Sequence, residues 1–261
     1  MRRILKPILF ACASLLTAFD LLWIAVRGSD ATSMIGLDYE TYVDATARWL
    51  SSGVFYQSYQ LAGPYSVEVH EVLYPPIALV LFAPFTVLPA IFWWAIPTGV
   101  VAWSIWSWRP SRVTWCVLVA LLLWPWSLML YSYGNPCIWI AALIAGGLRW
   151  GWPAALIAFK PQFAVLALIG IRHRSWWILS AGLAVVSLTM LPLWMDYLTV
   201  MRNARWDVIS PFYWLNNVPL LAVPVVAWVG SSSRSVGRHS WRLDLPSRWR
   251  PSETRVGEST D

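Results

Sequence analysis

Four short clusters carry side chains able to do chemistry. The first is Asp38-Tyr39-x-x-Tyr42-x-x-Ala45. A carboxylate beside an apolar run has the reach to take a proton from a hydroxyl, with a pKa tuned by partial burial. The same aspartate at a helix start also reads as an N-cap. The second, Leu73-Tyr74-Pro75-Pro76, is a rigid entry into a helix. The third, Tyr133-Gly134-Asn135-Pro136, has the composition of a turn. The fourth, Phe159-Lys160-Pro161-Gln162, puts a cation inside an otherwise apolar segment.

An ammonium at such depth is costly unless paired or solvated, which makes Lys160 a functional candidate. The alternative is a side chain that snorkels to an interface. Pro161 breaks the helical ladder there and makes room for polar groups. Asp20, in the first apolar run, is a second charge that could pair with Lys160 or line the same cavity. His70 stands between Glu68 and Glu71. It could contact a phosphate, assist a base, or be a plain loop residue.

Several chemistries lack their signature. The sequence has no P-loop, dinucleotide fingerprint, His-Glu-x-x-His or Cys/His cluster, so neither a cofactor nor a metal is expected. Cys12, Cys116 and Cys137 lie in or beside apolar runs and read as small core residues.

The elements that must position these residues are apolar. Hydrophobic residues make up 58% of the 261 and charged ones 12%, against about a quarter charged in soluble domains. Twenty-one tryptophans, several at the ends of apolar runs, fit an aromatic belt at a membrane surface. The composition predicts an all-α, polytopic transmembrane bundle in the cell membrane. Its expected spans are 7–26, 75–89, 90–108, 113–130, 137–149, 153–171, 176–193 and 217–230, and the first is a retained signal-anchor rather than a cleaved signal peptide.

The segment 27–72 is acidic and follows a basic N-terminus, so it is expected outside and the N-terminus in the cytoplasm. Within it, the spacing of Tyr39, Tyr42, Val43, Thr46 and Leu50 predicts an interfacial helix over 38–50, ended by Gly53. A polar, disordered tail is expected over 231–261. Its arginines, among them Arg234, Arg238 and Arg242, account for much of the net charge of +6. They point to anionic lipid rather than nucleic acid. This eight-span order puts Arg172 and Arg174 inside but Arg109 and Arg112 outside, against the charge rule.

Taken in order, the motifs resemble glycosyltransferase family 87 of the GT-C superfamily of integral membrane glycosyltransferases. The series is Asp38-Tyr39-x-x-Tyr42-x-x-Ala45, Tyr74-Pro75-Pro76, Leu81-Phe82-Ala83-Pro84-Phe85, Gly134-Asn135 and Lys160-Pro161-Gln162. It covers roughly 5–222, with Asn216-Asn217 resembling a further family segment.

The resemblance implies sugar transfer, with mannose foremost, from a polyprenyl-phosphate donor to a lipid or glycan acceptor on the external face. It implies an inverting reaction with Asp38 as general base. Lys160, His70, Tyr74, Asn135 and Gln162 would meet the donor and its phosphate, and Asp20, Tyr42 and Glu71 would line the cavity. Family members carry further spans, which leaves two alternatives open: a non-catalytic partner of another membrane protein that keeps the lipid groove, or a transporter or flippase, since broken helices with buried charge also occur there.

Overall fold

A computed structural model describes residues 35–68, 71–205 and 213–231. Asp20, His70, the first expected span and the polar tail beyond Ser231 lie outside the described residues. The described chain is mostly helical, an all-α fold with 78% of residues in helices.

The chain order is α1 (Leu37–Ser52), α2 (Ser58–Ala62), β1 (Tyr65–Ser66), α3 (Leu79–Phe82), α4 (Ile91–Trp108), α5 (Arg112–Leu122), α6 (Pro125–Ser132) and α7 (Cys137–Trp150). Two 3₁₀ segments follow, Trp152–Phe159 and Pro161–Gly170. Then come α8 (Arg174–Thr189), α9 (Leu191–Asn203), β2 (Ala204–Arg205) and α10 (Val218–Val229). The two short strands pair in parallel, Tyr65 with Ala204 and Ser66 with Arg205.

Helix α1 is the helix that the spacing predicts over 38–50, and it ends where expected. Gly53 closes it in the left-handed conformation at φ 76°, where an L side chain would be strained. The expected runs 90–108, 137–149 and 217–230 are the single helices Ile91–Trp108, Cys137–Trp150 and Val218–Val229, while the other described apolar runs differ from their expected form. Among the described residues no single helix is long and apolar enough to cross a membrane. Three bent pairs pass by length and composition: Pro76–Thr86 with Ile91–Trp108 at 111°, Arg112–Leu122 with Pro125–Ser132 at 59°, and Arg174–Thr189 with Leu191–Asn203 at 84°.

Proline explains the breaks. Pro89, Pro125 and Pro192 stand at the three bends, where each removes an amide donor, and Trp124 ahead of Pro125 is extended at φ −62° and ψ 130°. The expected helix over 153–171 is likewise two 3₁₀ arms meeting at Lys160, whose backbone is extended at φ −117° and ψ 93° ahead of Pro161.

The core is aromatic and sits under α1. Tyr42 stacks on Phe82 at 5.1 Å and 9°, and Tyr74 meets Tyr42 edge-on at 4.7 Å. Phe85 meets Trp93 edge-on at 4.9 Å, and Trp93 continues to Trp139 at 5.6 Å. Helix α7 lies at the centre, packed by α4, α10 and both 3₁₀ arms. It buries every residue from Ile140 to Gly147. Gly146 and Gly147 let the first arm in: a Cβ on Gly147 would come within 2.7 Å of the Ala154 Cβ.

Candidate functional site

The start of α1 is held by another element. The Tyr133 carbonyl accepts from the amides of Asp38 at 2.9 Å and Tyr39 at 3.3 Å, and the Ser132 carbonyl accepts from the Gly36 amide at 2.9 Å. First-turn amides otherwise need a capping side chain. With the turn's carbonyl in that role, the Asp38 carboxylate is not its helix's cap, and Gly36 at the cap position provides no side-chain cap.

Gly134 makes the docking possible. It adopts φ +68°, and a Cβ there would lie 2.9 Å from the Tyr39 Cβ and 2.8 Å from Trp94. Trp93 and Trp94 clamp the same turn, their indole N–H groups donating at 2.7 Å to the carbonyls of Gly134 and Tyr131.

The next residue in that turn ties three sequence motifs together. The Asn135 Nδ2 donates to Asp38 Oδ2 at 2.6 Å. Its Oδ1 accepts from the Cys137 amide at 3.0 Å and from Lys160 Nζ at 3.2 Å. The amide's orientation follows from its neighbours: two donors face the oxygen and a carboxylate faces the nitrogen, so a flipped amide would oppose all three. Asp38, Asn135 and Lys160 are all buried, at 8%, 5% and 7% exposure.

Lys160 Nζ also donates to Cys137 Sγ at 3.2 Å and lies 5.5 Å from the Tyr74 ring centroid. The Cys137 thiol donates to Asn217 Oδ1 at 3.2 Å. Tyr42 closes the side facing the core, and its hydroxyl is held well above the usual phenol pKa. Burial is the main cause, reinforced by Tyr74 and Asp38 and opposed by Lys160. It stays a neutral donor.

The structure thus brings together Asp38, Tyr42, Tyr74, Asn135 and Lys160. It separates two other expected members. Gln162 is exposed: it follows Pro161 at the start of the second arm, after the chain has turned at the tip. Glu71 belongs to a different cluster, where Gln60 Nε2 donates to it at 2.6 Å and the Tyr59 hydroxyl at 2.8 Å. Asn203 Nδ2 ties that cluster to α9 by donating to the Gln60 carbonyl at 2.9 Å.

Cys137 and Asn217 complete the polar group. Cys137 carried a signal in its position two residues after Asn135, where the asparagine oxygen can accept from its amide. Asn217 had none beyond the family likeness of its segment. Among the described residues no group of three or more His, Cys, Asp or Glu side chains could hold a metal ion.

No protein-family model matches the chain, and neither a curated protein nor a solved structure is similar to it.

Proposed function

We propose that the chain is a membrane glycosyltransferase that moves a sugar, mannose foremost, from a polyprenyl-phosphate donor to a lipid or glycan acceptor. The observation that carries this reading is the buried Asp38–Asn135–Lys160 relay, which holds a carboxylate and an ammonium on one amide.

The carboxylate takes the proton of the acceptor hydroxyl. The acceptor oxygen attacks the anomeric carbon from the face opposite the phosphate, and the carbon–oxygen bond to the phosphate breaks with inversion. Polyprenyl phosphate leaves with the bonding electrons, and the charge of Lys160 stabilises it. Asn135 sets the carboxylate's direction through Oδ2.

The membrane setting draws on exposure. Val87, Trp106, Ile178, Val165 and Leu188 are each at least 69% exposed, and α8 buries none of its residues. Apolar surface on this scale needs lipid or a partner to cover it. The chain is read as a multi-pass protein of the cell membrane, with α1 and its acidic loop on the external side.

The test is transfer from polyprenyl-phosphate mannose by purified protein in lipid nanodiscs. Asp38→Asn is expected to lower the rate by about 10²–10⁴-fold, the usual worth of a general base, while the protein still elutes as a folded species. Undiminished transfer by that variant removes the role assigned to Asp38.

A second reading is a non-catalytic subunit in which the relay only pins α1 to the bundle. It draws on the way Asn135 already uses both ends of its amide within the protein. It expects no transfer by the wild type and stable association with another membrane protein.

A further inference from the structure

The two ends of the helical body carry opposite charge. The described acidic residues Asp38, Glu40, Asp44, Glu68 and Glu71 belong to the loop end, and Asp196 of α9 lies within electrostatic reach of the loop's Tyr56; they outnumber the described arginines of that end, Arg48, Arg202 and Arg205, so the end is net acidic. From Val72 to Met195 the sequence holds no Asp or Glu. The cations of that stretch, Lys160 apart, are Arg109, Arg112, Arg149, Arg172 and Arg174.

Contacts place these arginines at one end. The Ser111 amide donates to the Gly230 carbonyl at 3.0 Å, so the junction between α4 and α5 meets the end of α10. Arg149 Nη1 donates to Ser107 Oγ at 3.0 Å, joining the end of α7 to the end of α4. The Ser175 hydroxyl donates to the Trp150 carbonyl at 3.4 Å, and a Cβ on Gly151 would run into the His173 ring. Arg149 stacks 4.3 Å above the Trp103 ring, and Trp103 and Trp150 are themselves parallel within 13° at 5.4 Å.

The 3₁₀ segments begin and end here. A Cβ on Gly170 would meet the Gly151 carbonyl, so the two feet of 152–170 stand side by side, while the tip reaches the relay through Lys160. The arms have 8 and 10 residues. At about 2 Å of rise per residue each is about 16–20 Å long, short of the roughly 30 Å of hydrocarbon that a span must cross. Backbone of this kind is tolerated at depth where protein covers it: the first arm buries Ala154, Ala155, Ile157 and Phe159, while the second buries Phe163, Ala167 and Gly170 on one side and leaves Val165 and Leu168 exposed on the other.

We propose that 152–170 is a re-entrant hairpin inserted from an anionic leaflet, whose lipid headgroups contact the surface formed by Arg109, Arg112, Arg149, Arg172 and Arg174. The proposal rests on the membrane reading above but not on catalysis. With the bent pair Pro76–Thr86 and Ile91–Trp108 crossing once rather than twice, it places the two Arg pairs, which eight full spans would put on opposite faces, together on the side away from the acidic loop, as the charge rule requires. Exposed indoles, Trp106 at 79% and Trp152 at 44%, belong to the same end and suit a headgroup boundary.

The experiment is cysteine labelling with a membrane-impermeant maleimide in sealed right-side-out vesicles, in a background carrying Cys12→Ser and Cys116→Ser. Glu40→Cys is expected to label in intact vesicles. Arg112→Cys and Arg174→Cys are expected to label only after permeabilisation. Val113→Cys and Arg172→Cys report the same two junctions should either arginine variant fail to fold. Labelling of the two junctions from opposite sides makes 152–170 a full span and overturns the hairpin. Labelling of both from the side of Glu40, or of neither after permeabilisation, overturns the surface.

Exchanging phosphatidylcholine for phosphatidylglycerol in nanodiscs is expected to raise the wild-type Tm, and R172Q/R174Q to lose at least half of that rise. An equal rise in both removes the anionic lipid from the proposal. Sidedness is read without substrate, so its failure is distinct from a failure of the transfer assay.

Discussion

The loop end and the arginine end of this protein handle charge in opposite ways. At the loop end a carboxylate and an ammonium are buried and joined by a single amide. At the other end Arg112 and Arg174 are exposed, and the half-buried Arg149 rests on the face of an indole. Burial raises both the cost of a charge and the return on its partner. Equal changes in charge should therefore have unequal effects at the two ends.

The largest effect on stability is expected at Asn135. Asn135→Leu removes the acceptor of Lys160 and the donor to Asp38 together, and breaking a buried charged network of this kind costs about 3–5 kcal/mol. Thermal unfolding in detergent measures it. The sharper form is a double-mutant cycle. Asp38→Asn with Lys160→Met should cost less than the sum of the single changes, because the second removes the charge the first leaves unbalanced. Additive losses would mean that the two charges do not act through one amide.

The next expected effect tests how α1 is held rather than what it carries. Gly134→Ala forces an L side chain into the left-handed region and against the Tyr39 Cβ at 2.9 Å. The conformational cost and the overpacking together amount to about 2–4 kcal/mol. Transfer should fall too, since the helix bearing Asp38 must move. A variant that melts as the wild type does would show that the turn is not what seats the helix.

At the arginine end the expected loss is smaller. Arg149→Gln gives up the stack on Trp103, worth about 0.5–1 kcal/mol at a partly exposed site, and should leave transfer unchanged. A loss as large as that of Asn135→Leu would erase the contrast between the two ends.

The sequence made some of this contrast legible. Lys160 stood out because an isolated cation in an apolar run needs a partner, and the period of α1 with its closing glycine set that helix's place. The partner itself was hidden. Asn135 sits in a turn whose composition already accounts for it, and only the fold shows that its side chain points at residues 97 and 25 positions away.

The hairpin was hidden for a related reason. Apolar content predicts a span but says nothing of where the chain reverses, and one proline at 161 has the same signature in a kinked span as at a tip.

The smallest expected effect separates the relay from its neighbour in the loop. Tyr59 donates to Glu71 at 2.8 Å, and its pKa is pushed up to about 12 by burial first and then by that hydrogen bond and the carboxylate's charge. The folded state therefore holds the phenol proton more tightly than the unfolded chain, whose phenol titrates near 10. The stabilisation is complete below pH 10 and is lost as pH rises toward 12, because over that window the unfolded state has already released its proton. Tyr59 is 52% exposed, so solvent screens the effect and the loss is slight. Melting curves across pH 9–12 should show a shallower alkaline decline for Tyr59→Phe than for the wild type, with transfer at neutral pH unchanged in the variant. Coinciding alkaline limbs would mean that the bond to Glu71 adds nothing to stability. A fall in neutral transfer would join Glu71 to the site that the fold keeps apart from it.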